Sequence, residues 1–286
     1  MRAQYFQIVK TGDVSFLIQE DRLASFYGLL HYHPEIQITL ILAGSGLRIV
    51  GDQVLPFRPG SIMIIGENQP HVFRSNPVEE GQFVEAISIY FNRSAFGPNF
   101  FQLPEIRLIN DLLDKSRYGI DVIGNTRTYL EDSIIRLTRI AGFRRFSQFL
   151  EILDILAISE DLVTLSKYGV ELVGRDHDAD RLNKVFNYVF SHLQDDIRLE
   201  QIAELSHLTP NGFCRFFKKK TRKSFFRFLI EARISKAMEL LRETDWLVSQ
   251  CAFMSGFSNL SHFNREFLKQ VGMIPKMYRV QYKANK

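Results

Sequence analysis

The last hundred residues of this chain carry one pattern twice, and an internal repeat restricts the fold more than any other feature of a sequence. The stretch "IAELSHLTPNGFCRFFKKK" (202–220) is answered by "CAFMSGFSNLSHFNREFLKQ" (251–270). Phe213, Arg215, Phe217 and Lys219 recur as Phe263, Arg265, Phe267 and Lys269 at an offset of 50, while Ala203 and Thr209 match Ala252 and Ser258 at 49. The second copy has therefore gained one residue in its turn. Each copy reads as a helix, a tight turn and a second helix opened by a hydroxyl N-cap, Thr209 or Ser258, with Pro210 suited to the first helical position. Gly256 can supply the positive φ of a sharp turn; His207 stands in that place in the first copy, at a higher cost. Ala203 and Ala252 are small where two helices cross. Phe213 with Phe217, and Phe263 with Phe267, lie one turn apart and fill each core. Asn211, Cys214, Arg215 and Lys218 are left on one outer face, and Leu260, Ser261, Asn264 and Arg265 on the other. This is the helix-turn-helix layout, whose second helix enters the major groove. The link "SFFRFLIEARISKAMELLRET" (224–244) reads as one helix of about 31 Å, close to the ~34 Å of one B-DNA turn. Both second helices can then meet successive major grooves on one side of a duplex.

Charge follows the same division. Residues 181–286 hold 19 Lys and Arg against 9 Asp and Glu, and residues 1–180 hold 17 against 23. A basic module beside an acidic one points to a polyanionic partner for the first. At 286 residues with 45% hydrophobic content, the chain has room for two domains with cores. No run approaches the roughly 18 unbroken apolar residues of a membrane span. The opening "MRAQYFQIVKTGDVSF" lacks the apolar segment and cleavage site of a secretory signal. Two cysteines, Cys214 and Cys251, fit a reducing compartment without a disulfide framework. The expectation is a cytoplasmic protein with no membrane partner.

The stretches "MSGFSNLSHFNREFLKQVGMIPKMYR" (254–279), "ARISKAMELL" (232–241) and "TPNGFCRFFKKKT" (209–221) resemble the AraC-type (AraC/XylS) family of bacterial transcription regulators. The resemblance covers about a hundred residues. It implies that Asn211, Cys214, Arg215, Leu260, Ser261, Asn264 and Arg265 face base edges. Arg215 and Arg265 are the sharpest candidates, since Arg can bond guanine bidentately. Lys218, Lys219, Arg222 and Lys269 are assigned to phosphates, which position without specifying. Family members carry Gly where this chain has Arg222, and a left-handed cap there costs a non-Gly residue on the order of 1 kcal/mol. Arg233, in the link, either reaches a phosphate or pairs with a neighbouring Glu, and pairing is favoured. The implied partners are double-stranded operator DNA, RNA polymerase, a small-molecule effector such as a sugar, and a second copy of the chain. The family's common outcome is activation. No cofactor and no catalytic residue are implied.

Residues 1 to about 100 read as β. "IQITLIL" (36–42), "LRIV" (47–50), "SIMIIG" (61–66) and "FVEAISIYF" (83–91) alternate with turn signals, as in a small barrel or sandwich. Helical periodicity takes over at 104–116, 125–142 and 143–159. The last two stripes can cover an open sheet face, join two copies, or both. The expected class is α+β: a cupin-like sensor barrel with dimerisation helices (1–165, the helices at about 125–159), a linker (166–180) and an all-α double helix-turn-helix domain (181–286).

The stretch "HYHPEIQ" (31–37) sets two histidines two apart, on one face of a strand. It resembles the cupin pattern, which here falls on His31, His33, Gln37, Gly44 and His71, with Gln37 where the metal-binding enzymes have a carboxylate. A neutral amide is a weaker donor for a hard cation. Three readings stand open: a metal site of three histidines with Gln37, an effector pocket in which His31, His33, Gln37 and His71 give hydrogen bonds, or groups that satisfy one another. The resemblance favours the effector pocket. The reading is a sequence-specific, effector-responsive regulator and not an enzyme. Its rivals are a metal-dependent cupin enzyme using His31, His33 and His71, and an architectural DNA-binding protein without effector control.

Overall fold

A computed structural model of the chain describes residues 4–9, 14–166 and 176–283, with side chains from 181 onward in the last stretch. Its strands are β1 (Gln4–Tyr5), β2 (Phe16–Leu23), β3 (His31–Tyr32), β4 (Ile36–Ala43), β5 (Gly46–Val50), β6 (Gln53–Phe57), β7 (Ile62–Ile65), β8 (His71–Ser75), β9 (Val84–Phe91), β10 (Ile120–Val122) and β11 (Leu162–Thr164). They form a five-stranded sheet in the order β1-β3-β8-β5-β6 and a six-stranded sheet in the order β11-β10-β7-β4-β9-β2. Every pairing is antiparallel except β1 with β3.

The helices are α1 (Arg107–Ser116), α2 (Gly124–Arg139), α3 (Gly142–Ile158), α4 (Asp176–Ser191), α5 (Leu199–Leu205), α6 (Pro210–Thr221), α7 (Phe225–Glu243), α8 (Val248–Met254), α9 (Leu260–Val271) and α10 (Pro275–Lys283). No described helix is long and apolar enough to cross a membrane.

Strand alternation sorts the residues into four layers. Along β4 and β9, Ile36, Ile38 and Leu40 with Ile87, Ile89 and Phe91 face outward, against Leu130, Ile134, Leu137, Phe149, Ile152 and Leu156 of α2 and α3. The stripes read at 125–159 are thus spent on covering this sheet. What these helices leave exposed is Tyr129, Phe143 and Ile158. The opposite face carries Gln37, Thr39 and Ile41 across from Tyr90, Ser88 and Ala86, and it looks into the space between the sheets. On the five-stranded sheet the alternation runs the same way. Leu47, Ile49, Val54 and Val72 point away from the barrel and join one core with Leu182, Phe186, Phe213, Phe217 and Phe228 of the helical half. Polar contacts reinforce that seam: the Leu30 N–H donates to Asn183 Oδ1 (2.7 Å), and the Ser235 hydroxyl to the Val54 carbonyl (2.8 Å).

Two strands, β10 and β11, lie beyond the residues expected to be β. They are three residues long and sit between helices, too short for alternation to register. Of the stretch read as a linker, 167–175 lies outside the described residues; Ser166 is buried, and α4 begins at Asp176.

Candidate DNA-reading face and sensor cavity

The two helix-turn-helix units form as the repeat demands, α5–α6 and α8–α9, joined by α7. Phe213, Phe217, Phe263 and Phe267 are fully buried, while Asn211, Cys214, Arg215, Lys218, Lys219 and Arg222 stand exposed on the first unit. Leu260, Ser261, Asn264, Arg265 and Lys269 stand exposed on the second. Every residue assigned to base edges or phosphates is therefore on the surface, and Asn211, Cys214, Arg215 and Lys219 share registers with Ser261, Asn264, Arg265 and Lys269. Both thiols are free, Cys214 exposed and Cys251 buried.

The turns show how the repeat is built. His207 adopts φ 53° and Gly256 φ 94°, so both copies take the left-handed turn. A Cβ at Gly256 would sit 1.9 Å from the Leu193 carbonyl oxygen. At the helix ends Arg222 (φ 63°) answers Gly272 (φ 80°). The first N-cap is Thr209, whose Oγ1 accepts the Gly212 N–H (3.2 Å). The second is Asn259, not Ser258: its Oδ1 accepts the His262 N–H (2.9 Å). The extra residue lies before the cap, so the offset of 50 already holds there. Among the described residues Arg233 pairs with no Glu. It donates to the carbonyls of Leu193 (2.9 Å) and Asp195 (2.7 Å), closing the C-terminal end of α4.

Between the sheets lies a cavity of about 190 Å³, lined by polar groups from several strands. His31, Gln37 and His71 are in its wall; His33 lies behind. Asp21, Thr39, Ser88 and Tyr90 also line it, and the sequence reading did not single them out. The signal was available, since Gln37 and Thr39, like Ser88 and Tyr90, are polar residues two apart in otherwise apolar strands. The Gln37 carboxamide, the Thr39 hydroxyl and the Ser88 hydroxyl form a chain with links of 2.7 and 2.9 Å.

The three histidines are packed together, with ring centroids 4.3 Å apart for His31 and His71 and 5.0 Å for His33 and His71. One ligand atom from each falls within 4.8 Å of the others. Each Nδ1 faces a backbone carbonyl: Leu29 at 2.8 Å, Glu35 at 3.0 Å and Gln69 at 2.8 Å. Such a bond fixes the tautomer and turns Nε2 toward a ligand. His33 Nε2 is taken by Gln37 (3.0 Å), whereas buried His71 Nε2 has no partner among the described residues. Burial lowers the pKa of all three, that of His31 to about 4, so the rings are neutral near pH 7. Burial raises that of the Tyr90 phenol well above its usual value. The cavity therefore offers histidine, amide and hydroxyl groups and the carboxyl of Asp21, set among the apolar side chains of Phe6, Leu23, Phe26, Ile41, Phe73 and Ala86.

Residues 202–281 match the model of a helix-turn-helix domain. Among curated proteins the chain is 22% identical over 256 residues to the Bacillus subtilis HTH-type transcriptional regulator YdeC, covering 87% of this chain and 85% of that one. It is 24% identical to the HTH-type transcriptional activator RhaS of Escherichia fergusonii, with 87% and 86% covered. The regulatory protein PocR of Salmonella typhimurium is 35% identical over 109 residues, 38% of this chain and 36% of PocR. The solved structure of ToxT from Vibrio cholerae covers 95% of this chain and 97% of its own at 16% identity, with a TM-score of 0.36, a likeness too loose to inform the sites.

Proposed function

We propose that the chain is a DNA-binding transcription regulator of the AraC type, as its helix-turn-helix match and its curated HTH-type relatives support, and that it reads an operator through α6 and α9 and answers to a small polar effector in the barrel cavity. The observation that carries this reading is the matched exposure of Arg215 and Arg265 on duplicated helices. An effector is supported by the hydrogen-bonding groups of His31, Gln37, Thr39, Ser88 and Tyr90 set among apolar side chains of the cavity wall, which suits a small ligand with polar groups, such as a sugar. The core that joins sheet to helices gives such a ligand a physical route to the reading half, because it favours one arrangement of the two over another.

Full-length protein is titrated with duplex DNA from upstream of neighbouring genes at two salt concentrations. Arg215→Ala and Arg265→Ala each cost about 1–3 kcal/mol at the specific site. Lys219→Ala weakens all sequences alike and lowers the salt slope by about one. Binding that is indifferent to sequence, with both Arg variants equal to the parent, would point to an architectural protein instead.

The relative RhaS is named an activator, and the same sign, exerted through RNA polymerase, is the outcome proposed for this chain. Pairing of two copies is proposed through the outer faces of α2 and α3, where Phe143 is 80% exposed. Sedimentation of Phe143→Glu checks it, an unchanged dimer counting against that face. A second reading puts a divalent metal among His31, His33 and His71, favoured by the buried His71 Nε2, unpartnered among the described residues. Metal analysis of purified protein decides it, since binding must vanish in His71→Ala.

A further inference from the structure

A second cavity, of about 180 Å³, opens between the barrel and the helical half, remote from the histidines. Its wall gathers guanidinium groups from three separate parts of the fold. Arg58 comes from the turn between β6 and β7, Arg127 from the first turn of α2, and Arg242 from the last turn of α7. Tyr278 and Tyr282 of α10 complete it, Arg58 lying 5.9 Å from the centroid of the Tyr282 ring.

The charges here do not cancel. Arg48, also in the wall, is ion-paired with Asp121. Among the described residues none of Arg58, Arg127 and Arg242 has an ion pair, and Glu131, which reaches Gly60 on this side, makes none with them. Arg242 is only 8% exposed, yet its Nε and one terminal nitrogen find no hydrogen-bond partner among the described residues, while the adjoining Tyr278 hydroxyl is set toward Arg242. A buried charge left in that state is costly. Burial, then repulsion from Arg242 and Arg127, lowers the pKa of Arg58. Burial likewise pushes Tyr278 up to about 12. A tight cluster of cations with spare N–H donors and a phenol is the donor set that an oxyanion completes. Arginine forks match carboxylate and phosphate oxygens bidentately.

We infer that this cavity is a binding site for a compact oxyanion, a carboxylate or phosphate group on a small molecule, clamped by Arg58 and Arg127 from the sensor half and Arg242 from the reading half. It stands apart from the barrel cavity and does not rest on the effector reading. The bound anion neutralises three like charges and bridges the halves, so binding stabilises their docked arrangement.

The test uses full-length protein. Thermal unfolding is followed in sodium phosphate, sodium citrate and sodium chloride at equal ionic strength, and affinity is measured by calorimetry. The expected result is a rise in Tm with phosphate or citrate beyond that in chloride, the better anion identifying the oxyanion class. Arg58→Gln and Arg242→Gln each weaken binding at least tenfold and abolish the rise. Arg58 is half-buried, and Arg58→Gln also raises the Tm without anion, because it removes a repelling charge; a merely structural arginine would lower it. Arg265→Ala, exposed on α9 and outside the cavity wall, keeps the full response. A parent protein that treats all three salts alike overturns the inference. So does a response retained in Arg58→Gln, or one lost in Arg265→Ala, which would place the anion on the DNA-reading face.

Discussion

The two helix-turn-helix units share a plan and differ in how they hold it. The second places Gly256 and Gly272 at its two left-handed positions, whereas the first places His207 and Arg222 there. The second closes its core on α7 and α10, with Cys251, Phe263, Phe267 and Tyr278 around Ile234, Ala237 and Leu241. The first closes on α4 and α7 through Leu182, Phe186 and Phe228, but the same core runs on into Leu30, Leu47, Ile49 and Val72 of the barrel. Strained backbone persists where surrounding packing over-determines it. The unit with two strained residues is the one whose apolar core continues into a sheet, and the unit whose apolar core stays among helices is the one with glycines.

The largest effects come from the cores. Phe217→Ala and Phe267→Ala each remove a fully buried ring and cost about 3–5 kcal/mol in urea unfolding. Their footprints differ in hydrogen exchange: Phe217→Ala exposes amides of β5 and β8, and Phe267→Ala leaves them protected. Equal footprints would break the comparison. Next comes Gly256→Ala, which meets both the Leu193 carbonyl and a positive φ and destabilises by more than about 1 kcal/mol. Arg222→Gly sharpens the contrast from the other side, gaining about 1 kcal/mol by relieving a left-handed non-Gly residue. A net loss there would mean that the Arg222 side chain outweighs its backbone. Smallest are the caps. Thr209→Ala and Asn259→Ala each cost roughly 1 kcal/mol, while Ser258→Ala stays within about 0.5 kcal/mol. A larger loss at Ser258 would return the cap to the hydroxyl.

Most of the reading half is legible in the sequence because its information is local and given twice. Phenylalanines one turn apart, a capping residue and a turn position each speak within a dozen residues. The sequence points to Ser258 instead of Asn259, where two neighbouring residues can both cap and only backbone geometry chooses. It likewise points to a neighbouring Glu for Arg233, whose acceptors, the Leu193 and Asp195 carbonyls, lie 40 and 38 residues away in sequence. The barrel was legible as alternating strands, and His31, Gln37 and His71 do share a wall. The residues that complete that wall come from β2, β4 and β9, whose pairing is set by long-range register that no local pattern reports. Arg58, Arg127 and Arg242 escaped altogether. They are scattered singly over nearly two hundred residues, and only the docking of α7 and α10 on the barrel brings them together.

The shared core of sheet and first unit bears on how such a chain can be recombined. Composition and charge divide it near residue 181, as though a reader had been appended to a sensor. Packing does not follow that division, since Val54 and Leu47 are as much part of the reader's interior as Phe213 is. A reader grafted onto a foreign sensor would arrive with an apolar wound on its first unit and a sound second unit. Exchange between relatives must therefore carry β5, β6 and β8 along, or refit the seam residue by residue.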